Sequence, residues 1–270
     1  MAKTRGRPRK KKEELATFDP GRFAIAHVES AELNDLLQEN LANEDLSPID
    51  FDRIRVPSGG GVAWEIIGEN GEPEPAKNVS GVIAYQHTAR TYWREGLDEG
   101  AGAKPPDCYS NDGRTGYGDI GLNDGGTRAC ISCPLNQWGS DDSGAGKACR
   151  ENRILYLLRE NELLPTLIVV PPTSLRNFKR YLLRLTSRRV PYHSVVSEFE
   201  LDKAQSGQGI TYSQIKFSQG PRVPQDLAEK IQAYSNMLES LVATTSGPDI
   251  GATVAAAVDV EEEAEKEVAD

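Results

Sequence analysis

Residues 166–201 read TLIVVPPTSLRNFKRYLLRLTSRRVPYHSVVSEFEL, and three patterns succeed one another inside them. The run from 166 to 170 is short, apolar and β-branched, as a buried strand requires. Pro171 and Pro172 stop it, because proline donates no backbone hydrogen bond, and Thr173 is placed to cap a helix behind it. From 174 to 188, Leu175, Phe178, Leu182 and Leu185 recur at steps of three and four, which lays an apolar stripe along one side of a helix. Arg176, Lys179, Arg180 and Arg184 fall on the other side. A face of one sign, continued by Arg188 and Arg189, repels itself unless an anion neutralises it, so these side chains are candidate phosphate contacts. A second strand is expected at 192–201.

Working outward, strand-like runs occupy 22–28, 62–67, 79–94, 153–158 and 210–217, with Gly207 and Gly209 turning the chain between 192–201 and 210–217 into a hairpin. A short helix is expected at 30–41, with Leu33, Leu36, Leu37 and Leu41 on one side. A last helix, 225–244, carries Leu227, Ile231, Tyr234, Leu238 and Leu241 in a four-three-four-three step. That seam packs either on the body or on a second copy in a homodimer. Along 79–94, Gln86, Thr88, Arg90, Tyr92 and Arg94 alternate on one side. Along 210–217, Tyr212, Gln214 and Lys216 share the side opposite Ile215 and Phe217. A sheet face mixing rings and cations is one that holds single strands, by base stacking and backbone attraction. Arg90, Tyr92, Arg94, Tyr212 and Lys216 are therefore candidate nucleic-acid contacts.

All four cysteines, Cys108, Cys130, Cys133 and Cys149, stand within one 42-residue window. The Cys-x-x-Cys pair supplies two thiolates from one tight turn, and two more complete the tetrahedral sulfur shell zinc favours. An iron–sulfur cluster is the alternative for four thiolates. Gly113, Gly116, Gly118, Gly121, Gly125 and Gly126 leave the window too poor in apolar residues to order itself by burial, and a metal would supply that folding energy. With no histidine in the window and all four thiolates engaged, a metal there holds a loop and does no chemistry. Disulfides would suit a secreted protein, but no apolar signal segment precedes the body, so a reducing, cytoplasmic setting is expected.

The net charge of −10 is strongly segregated. Residues 1–12 (MAKTRGRPRKKK) carry seven basic side chains and no acid; residues 259–270 (DVEEEAEKEVAD) carry seven acids and one lysine. Between 147 and 189 there are ten basic residues and three acidic ones, and local charge sets phosphate affinity. Arg5-Gly6-Arg7-Pro8 is similar to the core of an AT-hook, in which an extended Arg-Gly-Arg lies in the A·T minor groove. Residues 1–20 read as a disordered basic arm, 21–223 as the core with its cysteine loop at 108–149, 224–245 as a C-terminal helix, and 246–270 as a disordered acidic tail. Such a tail either competes with DNA for the protein's own basic surface or docks replication or recombination proteins. With 38% hydrophobic residues the chain can bury a core, and no apolar run is long enough to span a membrane. No Walker loop, HExxH or GxSxG occurs, so a non-enzymatic protein is expected. The enzymatic alternative, a nuclease or primase-associated subunit, would use Asp107, Asp112 and Asp119, which in a Gly/Asn loop are turn formers. His27, His87 and His193 are scattered.

The segment 129–140, ACISCPLNQWGS, with 146–149, GKAC, and the later Pro172-Thr173-Ser174-Leu175 with Tyr181, resembles the zinc-loop proteins of bacteriophages and mobile elements. The basic arm, strand-rich body and acidic tail also resemble phage single-stranded-DNA-binding proteins. That second resemblance implies an OB-like barrel: α+β, mostly antiparallel, with the cysteine loop inserted. A helix between third and fourth strands would place 166–170, 174–188 and 192–201. It implies a single-stranded-DNA-binding protein of replication or recombination. The alternative is a duplex-DNA-binding regulator, reading through the Arg-Gly-Arg-Pro arm, with the zinc loop as a protein-docking module.

Overall fold

The computed structural model describes residues 19–42, 44, 46–57, 59–68, 70–94, 105–121, 126–142, 144, 146–206, 209, 211–245 and 253–254. The arm with Arg5, Gly6, Arg7 and Pro8, and the acidic stretch 259–270, lie outside these residues. Among them, eleven strands and three helices take the order β1 (Arg53–Ile54), β2 (Trp64–Ile67), β3 (Pro73–Ala76), β4 (Asn78–Tyr92), β5 (Cys108–Ser110), β6 (Thr115–Tyr117), β7 (Thr127–Ala129), β8 (Arg150–Leu158), β9 (Thr166–Val170), β10 (Val195–Gln205) and β11 (Thr211–Arg222). Helix α1 (Ser30–Leu41) precedes them, α2 (Pro172–Ser187) separates β9 from β10, and α3 (Gln225–Thr244) comes after β11.

The long strand β4 organises the sheet. One edge pairs with β8 from Val82↔Leu158 to Thr91↔Arg150. The other edge is divided: Asn78–Gly81 pairs with β10, while Arg90, Thr91 and Tyr92 pair with β5. Gly81 sits where this strand is most crowded, since a Cβ there would lie 2.4 Å from the Leu158 carbonyl oxygen. β8 continues to β9, β10 forms a ribbon with β11, and β2–β3 is a separate hairpin. Every pairing among these strands is antiparallel except that of β1 with β9.

Both faces of this sheet are apolar and both are covered. On one, Ile83, Leu155, Leu157, Ile168, Phe199 and Phe217 pack against Phe178, Tyr181 and Leu185 of α2. Tyr181, fully buried, joins its hydroxyl to that of Ser197 at 2.7 Å. On the other, Val82, Ala84, Ile154, Tyr156 and Leu158 pack with Leu33 of α1 and with Leu227, Ile231, Tyr234 and Leu238 of α3. The seam of α3 is thus used inside its own body.

The expected closed barrel does not form. β9 is flanked by the two-residue β1, and no strand among the described residues pairs with the far edge of β11. That edge is satisfied by other means. Ile215 N–H donates to Ser174 Oγ at 2.9 Å, Asn177 Nδ2 donates to the Ile215 carbonyl at 3.0 Å, and Ser213 Oγ reaches the carbonyls of Pro57 and Gly61 at 2.7 and 2.8 Å. An edge covered by a helix and a loop exposes no free ladder, so closure is not required. Two smaller expectations also change. Residues 22–28 form 3-10 turns after Pro20-Gly21 in place of a strand, with Phe23 and Ile25 still buried. The N-cap of α2 is Pro171, with no side-chain cap, and Thr173 lies inside the first turn.

Candidate nucleic-acid interface

The cysteine segment belongs to the connection between β4, which ends at Tyr92, and β8, which begins at Arg150. Three short strands extend the β4 edge: β5 pairs with β4, β6 with β5, and β7 with β6. Asp112 turns the chain between β5 and β6. Burial alone would raise its carboxyl, but N–H donors of Thr115 (2.8 Å) and Arg114 (2.7 Å) and the Ser110 hydroxyl (2.9 Å) outweigh that and hold it below the usual carboxylate range. Asp119 accepts from Gly121 N–H, and Asp107 from Arg94 N–H. Each of the three acids that the enzymatic alternative would use therefore serves as a local acceptor.

Next come two single 3-10 turns, Cys130–Ser132 and Pro134–Asn136, which together make a compact knuckle. Asn136 Nδ2 donates to the Cys130 carbonyl at 2.7 Å, Gln137 Nε2 to the carbonyls of Ile131 and Cys133 at 3.1 Å each, and Cys149 N–H to the Leu135 carbonyl at 2.9 Å. The knuckle is joined to the sheet through Arg90. This guanidinium pairs with Glu151 and donates to Asn136 Oδ1 (2.8 Å) and to the Gly113 carbonyl (3.1 Å). The Arg90 guanidinium is therefore engaged within the fold, with its side chain only 13% exposed. The alternation that puts Gln86, Thr88, Arg90, Tyr92 and Arg94 on one face is present, but the cysteine segment covers the Thr88–Arg90 part of it.

The four cysteines are free thiols, and all of them line one cavity of about 10 Å³ together with Arg90, Ser110, Arg128 and Asn136. Arg128 Nη1 donates to Cys108 Sγ at 3.0 Å. Burial pushes the Cys149 thiol up to about 12 and also raises Cys108 and Cys130. As placed, no three His, Cys, Asp or Glu side chains among the described residues close into a metal-ligand group.

The outward side of the knuckle is unlike the rest of the surface. Ile131 is 86% exposed and Trp138 79% exposed, the two most exposed large apolar side chains among the described residues. The Lys147 ammonium stands 5.6 Å from the centre of the Trp138 ring and donates to Asn136 Oδ1 at 3.1 Å. On the same side opens a cleft of about 390 Å³, lined by Tyr92 and Arg94 at the end of β4, by Lys147 and Arg150, and by Asp141 and Asp142. Arg94 also reaches the Asp119 carbonyl at 3.4 Å. Sequence reasoning misses Trp138, Lys147 and Arg150. The one signal it offers is a tryptophan in a Gly/Ser/Asp run that gives the ring nothing to pack against.

The remaining candidates lie elsewhere. Arg176, Lys179 and Arg180 are exposed on α2 and have no carboxylate partner among the described residues; Arg184, also exposed, donates to the Phe217 carbonyl at 3.3 Å. Tyr212 and Lys216 lie on the outer face of the β10–β11 ribbon, where Lys216 is 2.5 Å from Asp202. That side-chain hydrogen bond, with the ammonium charge, lowers the Asp202 carboxyl. Since β10 meets β4 only at Asn78–Gly81, this face is at the far end of β4 from Tyr92. The sequence candidates thus divide into the Tyr92–Arg94 end with the knuckle, the α2 strip and the ribbon. No helix among the described residues is long and apolar enough to cross a membrane. No protein-family model, curated protein or solved structure matches the chain.

Proposed function

We propose that this is a single-stranded-DNA-binding protein whose reader is the knuckle. The observation that carries this reading is Trp138, a large ring held 79% exposed beside the Lys147 ammonium and next to a cleft with Tyr92, Arg94 and Arg150. A tryptophan is rarely left in water without use, and a ring flanked by cations suits an unpaired base and its phosphate. The wider architecture supports it. β4, β8, β9, α2, β10 and β11 succeed one another in the order of a five-stranded Greek-key barrel with its helix between the third and fourth strands. β4 pairs with both β8 and β10. We read this as an OB arrangement opened between β9, which is flanked by β1, and β11, where Ser213 reaches the carbonyls of Pro57 and Gly61. The knuckle is then the connection between first and second strands, one of the two loops such folds use on oligonucleotides. The α2 strip is a second, electrostatic contact for the same strand.

Tryptophan emission tests this when the parent is compared with Trp138→Ala, because Trp64 is buried and Trp93, though buried, stands at the wall of the same cleft. Titration with a single-stranded oligonucleotide should quench emission, and Trp138→Ala should weaken binding roughly 5- to 150-fold, the equivalent of one stacked base. An unquenched signal together with unchanged affinity in the variant would overturn the reading. Quenching by duplex alone would instead favour the duplex-binding regulator.

A further inference from the structure

We infer that Cys108, Cys130, Cys133 and Cys149 together hold one zinc ion, and that this ion fixes the shape of the knuckle. Its consequence for presenting Trp138 rests on the function proposed above; the metal site itself does not.

The four thiols come from three places in the chain, the β5 start, the Cys130–Cys133 turn and the residue before β8, yet they line a single cavity. At about 10 Å³ that cavity is on the scale of a single water molecule or ion. Gly116 forms part of its wall. A Cβ at this position would stand 3.2 Å from Cys108 Sγ and 3.5 Å from Cys130 Sγ, so a side chain there would crowd the space the sulfurs share. The cavity lining also offers cations. Four thiolates on zinc carry a net charge of −2; Arg128 lines the cavity and already donates to Cys108 Sγ, and Arg90, itself paired with Glu151, lines it as well. Zinc–sulfur bonds of about 2.3 Å would require the four sulfurs to draw inward from the cavity wall. With four sulfurs bound no coordination position is left open, so the ion is structural. It supplies the folding energy that the knuckle, with Ile131 and Trp138 turned to water, does not obtain from burial.

The test uses the full chain purified without added metal. Elemental analysis should return one zinc per chain, and replacement by cobalt(II) should give the intense visible bands of a tetrahedral four-thiolate site. Absence of bound metal, iron with broad visible absorbance, or the weak bands of six-coordinate cobalt would each overturn the inference. Gly116→Val crowds the sulfurs without removing one, and should weaken zinc at least tenfold in competition with a chromophoric chelator; unchanged affinity would contradict the site. Hydrogen exchange before and after zinc removal should accelerate within 108–149 and not in β8, β9 or β10. Uniform protection would show that the ion does not fix the knuckle. None of these readouts contains nucleic acid, so their failure is separate from failure of the Trp138 reading.

Discussion

The sheet body and the cysteine segment reach order by opposite routes. Between α2 on one face and α1 and α3 on the other, the body buries Trp64, Tyr156, Phe178, Phe199 and Leu155 almost completely. The cysteine segment turns Ile131 and Trp138 outward and is held by short polar bonds, Asp112 and Asn136 each making several. A region stabilised by burial can be large but must hide its rings. One stabilised by point contacts can leave a tryptophan in water. The proposed reader belongs to the second kind of structure, where Trp138 is left 79% exposed.

The sharpest break in this comparison comes from one substitution in each region. Phe199→Ala empties a site closed on all sides and should cost about 3–5 kcal/mol of global stability in urea unfolding. Cys133→Ser should leave that unfolding transition nearly in place and raise hydrogen exchange only in 108–149. Equal destabilisation by both would mean that body and knuckle unfold as one unit.

His87 lies at the joint. It projects from β4 into the α3 side of the core, its Nδ1 is 2.8 Å from the Asn111 carbonyl oxygen, and Tyr85 and Tyr156 flank its ring. Burial is the main cause that lowers its pKa to about 4; the Arg153 charge adds to it and the Asn111 bond opposes it. Folded His87 therefore stays neutral where the unfolded chain, near 6.5, takes up a proton. Its contribution is complete above pH 6.5 and is lost as pH falls from 6.5 towards 4, on the order of 3 kcal/mol over the window. His87→Gln should flatten that part of the stability profile. An unaltered profile would place the acid sensitivity elsewhere.

Much of the body is legible in the sequence. The 3.6-residue period locates α1 and α3 to the residue, and α2 within two; α2 and α3 lay a continuous apolar stripe on the sheet, while α1 buries Leu33 and leaves Leu36 exposed. Strand β4 and the β10–β11 hairpin emerge from alternation and from the glycines between them. The 62–67 run contains β2, but its partner β3 is hidden by Pro73 and Pro75, and the 22–28 run has strand-like alternation but comes after a Pro-Gly turn. What alternation cannot disclose is the cover. It places Arg90, Tyr92 and Arg94 on one face, but whether that face meets water depends on where residues 108–149 return, more than fifteen residues further along the chain. Arg90 is taken up by Asn136 for this reason, beside its cross-strand partner Glu151, whereas Lys216 meets Asp202 across the β10–β11 ribbon. Trp138 escapes notice because it belongs to no periodic element.

The smallest expected effects concern the α2 strip. Arg176→Ala, Lys179→Ala and Arg180→Ala together should leave stability within about 0.5 kcal/mol, as expected for exposed side chains. The same triple change should flatten the salt dependence of single-strand binding, by roughly 0.7 in the log–log slope for each phosphate no longer neutralised. Trp138→Ala should weaken binding with the slope unchanged, because stacking releases no counterions. A triple variant with the parental slope would remove α2 from the interface.

The most direct measurement is an affinity titration of the full chain against single-stranded and duplex oligonucleotides of equal length at two salt concentrations, beside Trp138→Ala and a chain lacking residues 1–12. The account predicts that the parent prefers the single strand, that Trp138→Ala removes most of this preference, and that deletion of the arm mainly reduces duplex binding. If arm deletion abolishes all binding while Trp138→Ala binds both strands as the parent does, the knuckle is not the reader and the account is wrong.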